Sequence, residues 1–96
     1  MSDSREQSST LSSRDRRLLQ TILAGRSDAN IRFEELRRLL LNMGFYETIR
    51  GSHHTFRRSG LRASVIIQPR NSMAKAYQIR QFRRIVIRHG LAPDDA

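Results

Sequence analysis

A chain of 96 residues supports one domain with one modest core, because a small domain buries a smaller share of its unfolded surface than a large one, and a two-domain enzyme is excluded. Its 18 basic and 9 acidic residues give a formal charge of +9, and the absence of cysteine removes disulfides, zinc–thiolate centres, iron–sulfur clusters and thiol nucleophiles. Of the basic residues only Lys75 is lysine; the other 17 are arginine, whose planar fork suits the paired oxygens of a phosphate.

Met1 to Ser12 is polar, with five serines, and residues 1–12 are expected to form a disordered tail. The segment also lacks the apolar stretch of a secretory signal, and the longest aliphatic runs, Leu39-Leu40-Leu41 and Val65-Ile66-Ile67, are too short to span a bilayer. A soluble, cytoplasmic protein is expected, with no membrane partner. Ser13 can cap a helix over Arg14–Ala24 in which Leu18, Leu19, Ile22 and Leu23 share a face and Gly25 supplies the stop. Residues 13–26 therefore read as an N-terminal extension helix whose narrow apolar stripe packs on the main body or on a partner.

Arg26 to Arg32 is a polar connection. A stronger helix is predicted over Phe33–Met43, with Phe33, Leu36, Leu39, Leu40 and Met43 at helical spacing, Glu34 and Glu35 in its first turn and Gly44 as terminator, although no good cap precedes Phe33. The pattern then changes to strands. Phe45–Arg50 alternates, Gly51-Ser52 turns, His53–Arg58 extends, Ser59-Gly60 turns again, and Leu61–Gln68 runs to Pro69, which cannot donate to a ladder. Arg70 to Ala76 reads as a basic loop, followed by a last helix over Tyr77–Arg88 that buries Ile79, Phe82, Ile85 and Val86. Arg80, Arg84 and Arg88 recur on another face, and His89-Gly90 ends the helix. Two tight turns joining three short strands, with helices on one face, give an α+β two-layer sandwich. Residues 92–96 are expected to be a flexible C-terminus. Phe33, Leu36, Leu40, Phe56, Ile79 and Phe82 are assigned to the core alone.

The charge is unevenly placed. Between Thr48 and Pro93 there is no Asp or Glu, and ten basic residues fall in that span. Such a segment attracts polyanions, RNA or DNA above all, and equally suits an acidic protein surface. Of the three histidines, His54 shares a strand face with Phe56 and is the structural candidate, whereas His53 shares the other face with Thr55 and Arg57. A metal or other cofactor has no support. The basic half lacks the carboxylates that hard divalent ions need, His53 and His54 point apart on a regular strand, and no glycine-rich phosphate loop occurs. Ser-His-Asp hydrolysis lacks an obvious orienting acid. A histidine working without metal on a nucleic acid needs a nucleophile from its substrate. RNA supplies one in the 2′-hydroxyl, and DNA does not.

The segments Phe33-Glu34-Glu35-Leu36, Met43-Gly44-Phe45, Arg50-Gly51-Ser52-His53-His54-Thr55-Phe56, Ile66-Ile67-Gln68-Pro69 and Ala74-Lys75-Ala76-Tyr77-Gln78-Ile79-Arg80-Gln81 together resemble the HicA toxins of bacterial type II toxin–antitoxin systems. The resemblance covers residues 27–91. It implies a double-stranded-RNA-binding-domain-like fold, with a three-stranded antiparallel sheet and two packed helices, to which this chain adds an N-terminal helix. It implies an mRNA-cleaving, metal-independent endoribonuclease that stops translation and growth, with a HicB-type antitoxin covering the active surface. The family's catalytic histidine falls on His53 and its preceding glycine on Gly51. The RNA-binding set read alongside them is Gly51, Ser52, Arg57, Arg70, Lys75 and Arg80, with no metal. Many members carry a histidine soon after the proline ending the third strand, where this chain has Arg70-Asn71-Ser72.

Blander roles stand beside these. Gly51 can be a turn residue alone, Arg57, Lys75 and Arg80 solvated charges, Tyr77 and Gln78 the fixture of a helix start, and His89 a C-terminal capping residue. A non-catalytic RNA-binding module using the same basic surface is the alternative function, and an interaction protein with an acidic partner the third. A DNA-reading helix-turn-helix is disfavoured because strands interrupt the helices.

Overall fold

The computed structural model describes residues 11–93. Helix α1 (Ser13–Ala24) is followed by a 3₁₀ turn (Asp28–Asn30), α2 (Phe33–Asn42), strands β1 (Tyr46–Arg50), β2 (His53–Arg57) and β3 (Val65–Ile67), and α3 (Ala76–His89). The strands form an antiparallel sheet in the order β1-β2-β3. Phe56, Val65 and Ile67 are completely buried under the helices, while Tyr46, Thr48, Arg50, His53, Arg57 and Ile66 are exposed on the opposite face. This is the α+β arrangement expected, with one covered face and one open face.

The cap of α1 is Ser12 rather than Ser13: its hydroxyl accepts from the Asp15 backbone N–H at 3.1 Å, and Gly25 closes the helix in the left-handed region at φ 73°. Leu11, placed in the tail by the sequence pattern, is buried with Leu19 and Ile22 in the common core. Residues 1–10 of that expected tail, and residues 94–96 of the expected flexible C-terminus, lie outside the described residues.

Helix α2 begins without a capping side chain, as its sequence suggested, and the reason lies far along the chain. The Phe33 N–H donates to the Ser72 carbonyl at 2.9 Å, so a distant loop supplies the acceptor that a local cap would provide. The basic loop expected over residues 70–76 contains a tight turn. Arg70 and Met73 exchange both backbone hydrogen bonds at 2.9 Å around Asn71 and Ser72, which both adopt positive φ (52° and 68°). Positive φ at both central residues is the signature of a type I′ turn. Ala74 then donates to the Ile31 carbonyl, tying the turn to the chain leading into α2.

The meander differs from the sequence expectation at its second connection. The Ser59-Gly60 turn forms as expected, closed by the Leu61 N–H donating to the Arg58 carbonyl at 3.0 Å, but pairing resumes only at Val65, opposite Phe56, so the turn lies within a seven-residue loop over residues 58–64 instead of joining the strands directly. Strand β3 therefore has three residues, not eight. The six residues assigned to the core alone, Phe33, Leu36, Leu40, Phe56, Ile79 and Phe82, are all buried; Ile85, expected buried, is half-buried.

The extension helix is fastened to the body at both ends. Asp15 is buried and accepts from the Asn42 amide at 2.6 Å. Near the other end Arg83 donates to the Ile22 carbonyl at 3.0 Å and grips both oxygens of Asp28 at 2.8 and 3.1 Å. Those bonds, and the Arg83 charge beside it, hold the Asp28 carboxyl below its usual range.

Candidate nucleic-acid interface

The β1–β2 hairpin sets the site. Arg50 pairs with His53, leaving Gly51-Ser52 as a two-residue loop, and Gly51 takes φ 58° at the first central position, where hairpin turns call for glycine. No atom lies within 4 Å of where a Gly51 Cβ would stand, so backbone conformation rather than crowding selects glycine there.

Strand pleating then separates the two adjacent histidines. His54 lies on the covered face, half-buried, its ring 4.6 Å from that of Phe33. Its Nδ1 is 2.7 Å from Glu47 Oε2, and the same carboxylate accepts from Arg37 Nε at 2.9 and 3.0 Å. The Glu47 side chain is only 7% exposed. Burial pushes its carboxyl up, but the hydrogen bonds from His54 and Arg37 and the Arg37 charge outweigh burial and hold it below the usual glutamate range. The same bonds raise Arg37 further. An orienting carboxylate for a histidine thus exists, contrary to the sequence expectation, but it serves His54. The signal was present in the hairpin register: Ile49 faces His54, so Glu47, two residues before Ile49, is a diagonal neighbour of His54 on the same face.

His53 is exposed on the open face with Thr48, Arg50 and Arg57. Among the described residues its imidazole makes no hydrogen bond or ion pair. Around it a polar relay joins three segments. The Gln68 amide donates to the Ser52 hydroxyl at 3.2 Å, the Gln78 amide to the Gln68 carbonyl at 3.4 Å, and the Lys75 N–H to Gln78 Oε1 at 3.0 Å. The hairpin tip, the end of β3 and the start of α3 therefore meet at one end of the sheet. Gln78 is buried and fixes the helix start as expected, whereas Tyr77 is exposed and free of that task.

Of the sequence-predicted set, Gly51, Ser52, His53 and Lys75 gather at this end, and exposed Arg70 opens the turn that follows β3. Arg57 shares the face of His53 but sits at the far end of β2, about 13 Å along the strand. Arg80 is not part of the gathering. It lies on an outward face of α3, close enough to Asp28 to help depress its carboxyl. The described acids, Asp15, Asp28, Glu34, Glu35 and Glu47, all precede the tip in sequence, and none lies on the open face. His89 is the exposed last residue of α3, where a basic side chain complements the helix end.

Among the described residues no three of His, Asp and Glu cluster as a metal site, and no helix is long and apolar enough to cross a membrane. No known protein family, curated protein or solved structure matches this chain.

Proposed function

We propose that the protein is a metal-independent endoribonuclease that cleaves mRNA, the toxin of a HicA-type pair with a HicB-type antitoxin as partner. The observation that carries this reading is the position of His53: exposed, outward, beside the Gly51-Ser52 turn, on a sheet face that holds no carboxylate among the described residues. The double-stranded-RNA-binding-domain-like arrangement implied by the resemblance places three strands between two helices, and α2-β1-β2-β3-α3 follows that order.

In this reading the His53 imidazole takes the proton of an RNA 2′-hydroxyl. The 2′-oxygen bonds to the adjacent phosphorus, the bond from phosphorus to the 5′-oxygen breaks, and the imidazolium returns a proton to that leaving oxygen. Arg70, Lys75 and the backbone around Gly51 and Ser52 offset the charge on the phosphorane. Arg57, further along the face, holds the strand by its phosphates, and Arg80 contributes only to the general field.

Purified protein incubated with single-stranded RNA in chelator is expected to cleave it, and His53→Ala is expected to lose at least a hundredfold in rate. Cleavage by His53→Ala at the parental rate, or an intact strand with the parent, refutes the mechanism. That no group among the described residues orients His53 favours a second reading, a non-catalytic RNA-binding module. It predicts salt-sensitive binding without cleavage and little change on His53→Ala.

A further inference from the structure

Helix α3 carries a stripe that the proposed site leaves unused. Tyr77, Gln81, Arg84 and Arg88 follow at steps of four, three and four residues, which sets them along one side of the helix, and all four are exposed, Tyr77 by 57%. This side is distinct from the buried stripe of Gln78, Ile79, Phe82 and Val86 and from Arg83, whose guanidinium is held by Asp28. Its first residue, Tyr77, lies between Lys75 and Gln78, the two groups that join α3 to the hairpin tip. Its far end opens into a groove of about 280 Å³ with Ser64 on one wall and Gln81, Arg84, Ile85, Arg88 and His89 on the other.

The composition of the stripe says what it can hold. Neither Arg84 nor Arg88 has an acidic partner among the described residues, in contrast to Arg37 and Arg83, which bind Glu47 and Asp28. Two unpartnered guanidinium forks on one line suit successive phosphates, and an exposed tyrosine ring suits the face of an unstacked base. At about 1.5 Å per residue Tyr77 and Arg88 stand about 17 Å apart along the axis, so the occupant is an extended chain rather than a single anion. A duplex keeps its bases stacked and cannot offer one to Tyr77.

We infer that this side of α3 is a second subsite for single-stranded RNA, stacking a base on Tyr77 beside the cleavage site and leading the strand's phosphates past Arg84 and Arg88 into the Ser64 groove. It rests on the RNA reading of the hairpin tip and adds a length requirement: short strands fill the tip alone, longer ones also occupy the helix.

The test measures affinities of the full chain for 2′-O-methylated, hence uncleavable, single-stranded RNA of about four and about sixteen nucleotides, the range such stacking surfaces occupy. The long strand is expected to bind more tightly. Tyr77→Ala and the double variant Arg84→Gln/Arg88→Gln are each expected to reduce that preference about tenfold, the double variant also flattening the salt dependence by about 1.4 logarithmic units per decade, two phosphates' worth on a single strand. Arg14→Gln/Arg17→Gln on α1 removes the same charge elsewhere and controls for the overall field. Equal losses from the α1 and α3 pairs, or no length preference in the parent, overturn the subsite while leaving the tip chemistry standing. Competition by polyglutamate as effective as by RNA of equal charge overturns the assignment to RNA in favour of an acidic protein. Failure of the parent to bind either strand removes the parent reading, and the subsite with it.

Discussion

The Arg37–Glu47–His54 network makes a quantitative prediction about stability. Glu47→Ala removes a nearly buried carboxylate and three hydrogen bonds from charged or chargeable donors. Breaking a fully buried ion pair costs about 3–5 kcal/mol because the stranded partner keeps its charge in low dielectric. Here the stranded Arg37 is 37% exposed and can turn to water, whereas His54, at 16%, has less freedom. The expected loss is therefore lower, about 2–3 kcal/mol, or a drop in Tm of about 10–20 °C for a domain of this size. Glu47→Gln keeps the shape and most of the pairing but loses charge assistance, and is expected to cost about 1 kcal/mol. The pH dependence separates charge from packing. The Glu47 carboxyl titrates below its ordinary 4.5 in the folded protein, so its contribution is complete above 4.5 and disappears as the pH falls through the lower folded value. Urea unfolding of parent and Glu47→Gln should show a gap at pH 7 that closes as the pH falls below 4.5. Comparing the two proteins at each pH cancels Asp28, whose carboxyl is also depressed. A gap that stays constant from pH 7 to about 3, or a Glu47→Ala cost under about 0.5 kcal/mol, refutes the network as a source of stability.

Three further substitutions test the elements around the site. Ser72→Gly relieves a non-glycine residue held at φ 68° and creates the Asn-Gly pair that type I′ turns favour, so thermal unfolding should show a gain of about 0.5–1 kcal/mol; a loss would mean that the Ser72 side chain supports the turn. Arg83→Ala removes the clamp on Ile22 and Asp28 and should lower stability by about 2 kcal/mol while speeding limited proteolysis in the connection between α1 and α2. Ser12→Ala removes the α1 cap and should cost about 1 kcal/mol in urea unfolding, whereas Ser13→Ala should be near neutral.

The helices, the hairpin and the opposite placement of the two histidines were legible because each depends on periodicity or on a local turn signal. Phe56 between His54 and Arg57 was enough to assign faces, and Gly51-Ser52 was enough to set the register. What escaped depends on contacts distant in sequence. The α2 N-terminus lacks a cap because Ser72 supplies its acceptor. The length of β3 is set by where Val65 meets Phe56, which the β propensity of neighbouring residues cannot fix. The I′ turn at Asn71-Ser72 uses a serine where glycine is the usual signal, so it read as loop. Gly51, Ser52, His53 and Lys75 come together at one end of the sheet because they sit at turn and helix-start positions, which the sequence pattern marks. Arg80 stands apart from them, because spacing along α3 cannot tell which exposed side faces the sheet end and which faces Asp28.

The same contacts that stabilise the hairpin also determine which histidine is presented to solvent. A one-residue slip of β2 would exchange the faces of His53 and His54 and bring Phe56 out to solvent. Phe56 resists the slip through burial, and His54 resists it through Glu47 and the Phe33 ring. His53 needs no contact of its own to be presented outward; its neighbours' burial holds it there. Loosening the Glu47–His54 pair should therefore affect a His53-dependent activity through hairpin order, with a loss that follows the unfolding midpoint. A Glu47→Gln variant that remains fully folded yet loses any such activity far beyond its small stability cost would instead place His54 in the proposed chemistry.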